Sequence, residues 1–287
     1  MNFNVWMLLA VTLIWGTTFP LLKSLSASLN GLEISAFRFI LAALCMIPFL
    51  FKAPRRTWAD GAILGALALA SYVAQAYGLQ TISSNRSAFL TSLNVLMVPF
   101  LGCLFGMRLS WVAVFAALLA CCGVGLMSWE GGGNLPGDSA TLLCALAYAL
   151  YVVVLSQRSA RHEARYLAAT QISLMAVFAS LGVLAQGADG GTLATLPARL
   201  APHFMTLLYL GAIATAAMLF LQAIAQRNVS ADKAAVIYAM EPVFAAGFAY
   251  LWLNESLGWR GAAGGAMVVL AMLVSEMVPA YAKRRLA

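Results

Sequence analysis

Gln75-Ala76-Tyr77, followed by Ser83, Arg86 and Ala88, recurs 147 positions later as Gln222-Ala223-Ile224, Ser230, Lys233 and Ala235. After one added residue, Leu109 and Trp111 are matched by Leu257 and Trp259. Each copy closes one apolar run and opens the next. Working outward, apolar runs between Gly, Pro and charge clusters predict ten spans, at 4–23, 32–52, 58–80, 85–105, 110–129, 138–156, 166–185, 203–226, 232–252 and 258–278. The copies fall at the same place in each set of five. Because five is odd, the second set enters a membrane upside down relative to the first. The expected fold is therefore an all-α integral membrane protein of ten transmembrane helices in two inverted five-helix repeats, 1–132 and 133–287, with any substrate site near the midplane between them.

Composition points the same way. Of 287 residues, 63% are hydrophobic and 9% charged, against ~25% charged in an ordinary soluble domain. The mean hydropathy is +0.88. A soluble fold of this size needs a charged surface that these residues cannot supply, which argues against a soluble enzyme, a nucleic-acid binder and a disordered chain. Ten spans of ~20 residues use most of the length, so function has to sit inside the bundle. The net charge of +7 reads as orientation. With the N-terminus inside, Lys52, Arg55, Arg56, Arg108, Arg158, Arg161, Arg165, Arg227, Lys233, Lys283, Arg284 and Arg285 are cytoplasmic, and only Lys23, Arg86, Arg199 and Arg260 lie opposite. Both termini and the loop 53–57 are expected in the cytoplasm of a bacterial cell, with the chain multi-pass in the inner membrane. Trp6, Trp58, Trp111, Trp129, Trp252 and Trp259 fall near span ends, as an aromatic belt does. The first span lacks a charged lead-in and holds polar Trp15-Gly16-Thr17-Thr18, unlike a cleavable signal.

The five cysteines, Cys45, Cys103, Cys121, Cys122 and Cys144, all lie in apolar runs without metal-like spacing and read as small core residues. His162 and His203 look isolated, so neither a metal nor a cofactor is expected. There is no phosphate-binding glycine loop, nucleophile elbow or HExxH, which argues against ATP drive within this chain and against an enzyme. Gly102-x3-Gly106, Gly261-x3-Gly265 and Gly61/Gly65 read as close-packing sites, and Ala113, Ala116, Ala117 and Ala120 as internal packing rather than a dimer seam. A monomer or weak homodimer in lipid is expected.

Glu241 lies near the middle of the ninth span. A carboxylate there costs ~2.5–3.5 kcal/mol or more unless protonated, paired or wet. It is a candidate proton carrier, an anchor for a substrate amine, or a structural carboxyl. Pro242 removes the donor that the Tyr238 carbonyl would use, and a broken helix beside a buried acid is a common way to build a midplane site. The repeat makes Asn94 its counterpart. Arg38, about 9 Å below the outer face by helical rise, either holds a substrate carboxylate, snorkels, or pairs with a local partner. Pro20 frees the Gly16 carbonyl beside Trp15, Thr17 and Thr18, a set suited to a zwitterion with an apolar side chain or to a packing kink. Tyr72, Gln75 and Gln80, with Gln222 and Gln226, should face inward, since amides toward lipid would be unsatisfied. Thr91, Tyr148 and Tyr238 complete the expected substrate-binding set; Tyr148 and Tyr151 also read as packing residues. Glu33 and Glu255, near span ends, should be solvated or interhelical.

The run Trp15-Gly16-Thr17-Thr18-Phe19-Pro20, then Ser35-Ala36-Phe37-Arg38-Phe39, then Ala234-Ala235-Val236-Ile237-Tyr238-Ala239-Met240-Glu241-Pro242-Val243-Phe244 and Leu253-Asn254-Glu255-Ser256-Leu257 resembles the drug/metabolite transporter superfamily, in particular its ten-helix EamA-type members. The first half departs from the second, with Met107-Arg108 where the ninth span is followed by Asn254-Glu255. Within the family the chain looks most like the amino-acid exporter branch typified by YddG. The resemblance implies secondary transport of small metabolites out of the cytoplasm, through a cavity formed chiefly by spans 1, 3 and 4 with 6, 8 and 9. Neutral polar groups outnumber charges along these spans, which suits amino acids and related zwitterions better than sugar phosphates, since phosphate sites want several Arg or Lys. Broad efflux of organic cations, a passive channel and a lipid-handling protein are the alternatives.

Overall fold

The computed structural model describes residues 3–107, 109–128, 134–187, 192–253 and 258–285, and among these residues every regular element is a helix. In chain order they are α1 (Phe3–Gly16), α2 (Thr18–Leu25), α3 (Gly31–Leu50), α4 (Arg55–Thr81), α5 (Ser84–Ser92), α6 (Asn94–Leu104), α7 (Trp111–Ser128), α8 (Leu135–Arg158), α9 (Ala164–Gly187), α10 (Thr192–Leu200), α11 (Phe204–Leu208), α12 (Met218–Ala225), α13 (Ala231–Tyr238), α14 (Glu241–Leu253) and α15 (Trp259–Arg285), with a π-helical stretch, Tyr209–Ala217, between α11 and α12. Seven stretches among the described residues are long and apolar enough to cross a membrane: Phe3–Leu25, Gly31–Leu50, Arg55–Thr81, Arg86–Leu104, Leu135–Arg161, Ala164–Gln186 and Ala194–Ala225. Trp111–Leu126 and Trp259–Ser275 are shorter apolar helices.

The repeat seen in the sequence reappears as backbone. Ser84 opens α5 and Ala231 opens α13, each after a serine, Ser83 and Ser230, in extended conformation. Asn94 opens α6 and Glu241 opens α14. The starts and the breaks thus keep the 147-residue offset. Packing follows the same exchange. α4 lies on α8 as α12 lies on α1; α6 lies on α8 as α14 lies on α1; α6 meets α13 as α14 meets α5. α7 runs along α15 and α3 along α9.

Helix ends on one side of the bundle are heavily tied. Asn30 and Glu33 form a capping box, the Asn30 carboxamide accepting from the Leu32 and Glu33 amides (3.0 and 2.9 Å) while the Glu33 carboxylate accepts from the Asn30 amide (2.9 Å). The same carboxylate takes two bonds from Arg199 (2.9 and 2.6 Å). Lys23 caps the end of α4 through the Leu79 and Ile82 carbonyls (2.7 and 2.8 Å), and Arg86 grips Asp138 with two bonds (2.6 and 2.8 Å). Three of the four basic residues predicted opposite the cytoplasm therefore close helix ends. At the other end of α4, Asp60 accepts from Arg158 and bonds His162 (2.7 Å).

Several expectations change. His162 is not isolated but paired with Asp60, a partner 102 positions away. Glu33 takes the interhelical of its two expected places, buried and paired with Arg199; Glu255 lies outside the described residues, as do Arg108, Trp129 and Asn254. Cys144 is buried, but Cys45, Cys103 and Cys122 are exposed on the bundle surface, where lipid serves a thiol as well as a core does. Gln80 is exposed at a helix end, within reach of interfacial water. Gly61 and Gly65 do pack closely: a Cβ on Gly61 would overlap Thr170 Oγ1, and one on Gly65 would sit 2.8 Å from the Gln171 carbonyl. The α7–α15 seam instead closes at Gly123, against the Gly264 carbonyl (2.6 Å). Gly265 makes only ordinary contact with Val243, Gly102 faces Met107 of its own turn, and Gly106 takes φ +78° in the turn after α6. Ala113, Ala116, Ala117 and Ala120 are all buried, as internal packing requires. Trp6, Trp58, Trp111 and Trp259 are exposed, while Trp15 is buried.

Candidate functional site

The first element of the site is the break between α1 and α2. Pro20 cannot donate to Gly16, and the chain kinks at Thr17. The Thr17 hydroxyl bonds the Ile14 carbonyl (2.7 Å) and the Tyr209 hydroxyl (2.7 Å), and the Thr18 hydroxyl donates to the Trp15 carbonyl (2.8 Å). The two threonines thus satisfy carbonyls that a regular helix would pair itself. Gly16 acts as a contact: a Cβ there would lie 3.0 Å from the Ala245 amide nitrogen and 3.3 Å from the Glu241 carbonyl. This is why the first break lies directly against the start of α14.

The second element is the π-helix. Its wider turn lets Thr215 Oγ1 donate five residues back to Leu210 (2.7 Å) and turns the Ala214 carbonyl toward other helices. Trp15 Nε1 donates to that carbonyl (2.9 Å), and Arg38 Nη2 reaches it at 3.4 Å while Arg38 Nε donates to Thr215 Oγ1. The Arg38 guanidinium carbon lies 4.5 Å from the centre of the Tyr72 ring, within cation–π range. Tyr209, Thr215 and the π-helix were not read from the sequence. They sit in an unbroken apolar run, and only the tyrosine and threonine themselves hinted at it.

The third element is a buried aromatic and amide network. The Trp15, Tyr148 and Tyr238 rings meet pairwise at 5.7–5.9 Å between centres, and Tyr151 stacks on Tyr148 at 5.9 Å. Gln222, fully buried, donates to the Tyr148 and Tyr238 hydroxyls (3.1 and 3.0 Å) and accepts from Tyr151 (3.3 Å). Tyr238 donates to Gln226 (3.2 Å), which donates to the Val152 carbonyl (3.2 Å). Gln171, missed in the sequence reading, also lies near the Tyr151 hydroxyl (3.5 Å). Gln222 and Gln226 thus face inward, because lipid would leave their amides unsatisfied.

Glu241 begins α14 just above Tyr238. It is partly accessible, and it is close enough to Arg38, Tyr72, Cys144 and Tyr148 to feel their charges and dipoles. From Val243 to Phe248 no residue of α14 is fully buried. Six successive residues cover every face of a helix, so the bundle side of α14 is accessible as well as its outer side. On the facing half, Asn94 donates to the Thr91 carbonyl (2.7 Å) and keeps a buried carbonyl oxygen without a partner. Cys144 lies between Ser71 (3.3 Å) and, more distantly, Thr91 (3.9 Å). Of the expected set, the structure joins Trp15, Thr17, Tyr72, Tyr148, Gln222, Tyr238, Glu241 and Arg38. It makes Thr18 a backbone cap and Gly16 a helix contact, and it leaves Gln75 half-buried outside the network.

Helices long enough to cross a membrane, two repeated halves and a polar centre with a half-buried acid fit a membrane transporter. The chain belongs to the EamA-like transporter family, which it matches twice, over residues 2–129 and 135–277. It is 28% identical over 279 residues to an uncharacterized transporter of Archaeoglobus fulgidus, covering 93% of this chain and 83% of that one. It is 23% identical over 278 residues to the uncharacterized transporter YcxC of Bacillus subtilis, covering 91% and 89%. A solved crystal structure with 16% sequence identity superposes with a TM-score of 0.74, covering 96% of this chain and 98% of that one, a likeness of fold. The chain is thus a multi-pass membrane protein, and its family points to transport rather than enzymatic chemistry.

Proposed function

We propose that this chain is a secondary transporter of the bacterial inner membrane that exports small metabolites, amino acids foremost, by alternating access. The observation that carries this reading is Glu241, a half-buried acidic residue at a helix break, within electrostatic reach of Arg38, Tyr72 and Tyr148. One carboxylate can hold either a proton or a substrate ammonium, and that competition is enough to exchange one for the other across the membrane. The ten spans, with α1–α2, α5–α6, α10–α12 and α13–α14 each crossing as one interrupted helix, form two inverted repeats, 1–132 and 133–287. The 147-residue offset of helix breaks and the exchange of packing partners support this. Placement in the amino-acid exporter branch typified by YddG is part of the same proposal. A carrier for organic cations would also use Glu241 and the aromatic rings, but the Arg38 charge beside them opposes a cation.

The test is counterflow in proteoliposomes with a panel of amino acids, sugars, sugar phosphates and organic cations. Saturable counterflow of large apolar amino acids is expected. Movement of sugar phosphates alone would overturn the substrate class, and unsaturable flux would overturn the carrier.

Orientation is tested separately. In a cysteine-free background, a single cysteine placed within 53–57 should react with an impermeant thiol reagent only after lysis, because the basic residues then lie inside. Labelling in intact cells would reverse the assignment.

A further inference from the structure

We infer that Arg38 and Glu241 are the two ends of a zwitterion clamp, Arg38 taking the substrate carboxylate and Glu241 its ammonium. This rests on the transporter reading and adds residue roles and a strict requirement on the substrate. Arg38 is buried to 2% exposure, yet all its bonded partners are neutral: Thr215 Oγ1, the Ala214 carbonyl at 3.4 Å and the face of Tyr72. It neither snorkels to the surface nor meets a carboxylate. Glu241, the one carboxylate whose charge bears on it, makes no ion pair with it and no hydrogen bond among the described residues. Among the described residues, the other buried or half-buried Arg–carboxylate pairs are closed by direct bonds, at Arg86–Asp138, Arg158–Asp60 and Arg199–Glu33. Opposite charges inside an apolar bundle gain most by contact, so a pair that is not in contact can be bridged by a third party that neutralises both. A molecule with an anion at one end and a cation at the other does so.

Thr215 takes Nε and the Ala214 carbonyl takes one Nη2 hydrogen, which leaves Nη1 and the second Nη2 hydrogen for a carboxylate. Thr215 is itself fixed to the Leu210 carbonyl by the π-helix (2.7 Å). Beyond Glu241, the Trp15, Tyr148 and Tyr238 rings provide an apolar wall for the side chain of the substrate. A monovalent amine would place its charge in the field of Arg38, and a simple carboxylic acid would face Glu241. Both should be rejected.

The test uses the full-length protein in proteoliposomes and counterflow of labelled phenylalanine, challenged with phenylalanine, phenylalanine amide and 3-phenylpropionate. The amide keeps the ammonium but lacks the carboxylate, and the acid keeps the carboxylate but lacks the ammonium. Phenylalanine is expected to compete at least tenfold better than either. Arg38→Gln should erase the preference over the amide only, and Glu241→Gln the preference over the acid only. General damage would not produce that crossed pattern. If Arg38→Gln fails to fold, the wild-type comparison still decides. An amide that competes as well as phenylalanine in wild-type protein overturns the clamp while leaving the carrier intact. Absence of saturable counterflow for every solute overturns the transporter reading itself.

Discussion

Replacing Glu241 by Gln should leave the protein folded and, on the proposed function, abolish export driven by a pH gradient. The substitution keeps the size of the side chain and its capacity to accept a hydrogen bond, and it removes the proton that can be released. No hydrogen bond among the described residues depends on the Glu241 carboxylate, so its loss orphans no partner. Gln also carries no charge into the bundle, and the unfolding temperature in detergent should not fall. Coupling requires proton and substrate to bias the same two-state cycle through different affinities in its two states. With an amide at 241 the proposed proton site is lost, so transport rate should become independent of an imposed pH gradient. Exchange survives at saturating substrate with a raised KM, because the amide oxygen still accepts from an ammonium. An unchanged response to the gradient in Glu241→Gln would remove the proton role. A protein that no longer folds would make the carboxyl structural.

The spans were legible because a bilayer imposes a length and a composition that few other folds need. The acid at the break between α13 and α14, Glu241, was legible for the same reason, since a single carboxylate stands out in an apolar run. What was not legible depends on partners distant in sequence. Arg38 meets Thr215 and Ala214 across 177 and 176 positions, and Trp15 meets Ala214 across 199. The π-helix that brings them together leaves no periodicity signal in Tyr209–Ala217. The span predicted at 203–226 is preceded by a further helix, α10. Pro202 falls in a short 3₁₀ turn, Ala201–His203, near whose start a missing amide costs little. Threonines at the first break looked like ligands because hydroxyls beside a freed carbonyl and an aromatic ring suit a zwitterion. The structure gives Thr18 a backbone partner, and Thr17 both a backbone partner and Tyr209.

Gly16→Val should abolish transport and lower stability, whereas Gly247→Ala should do neither. At Gly16 an added Cβ would lie 3.0 Å from both the Ala245 amide nitrogen and Phe244 Cβ, and 3.3 Å from the Glu241 carbonyl. Two of those three atoms are backbone, which cannot rotate away as a side chain can, and valine adds two methyls beyond the Cβ. The helices must separate, at a cost of about 1–3 kcal/mol for overpacking. The separation falls on the first turn of α14, which carries Glu241, so the carboxylate moves relative to Arg38 and to the Trp15–Tyr238 ring pair. Gly247 lies on the same helix, less than two turns further on, and a Cβ there meets nothing within 4 Å. Alanine at 247 also favours the helix over glycine by about 1 kcal/mol. The measurement is the unfolding temperature in detergent together with counterflow in proteoliposomes for both variants. A Gly16→Val protein with wild-type counterflow would mean that the close approach of α1 and α14 is incidental to the site. Equal losses at 16 and 247 would mean that helix 241–253 tolerates no change anywhere, and the contact at Gly16 would have no special place in setting the position of Glu241.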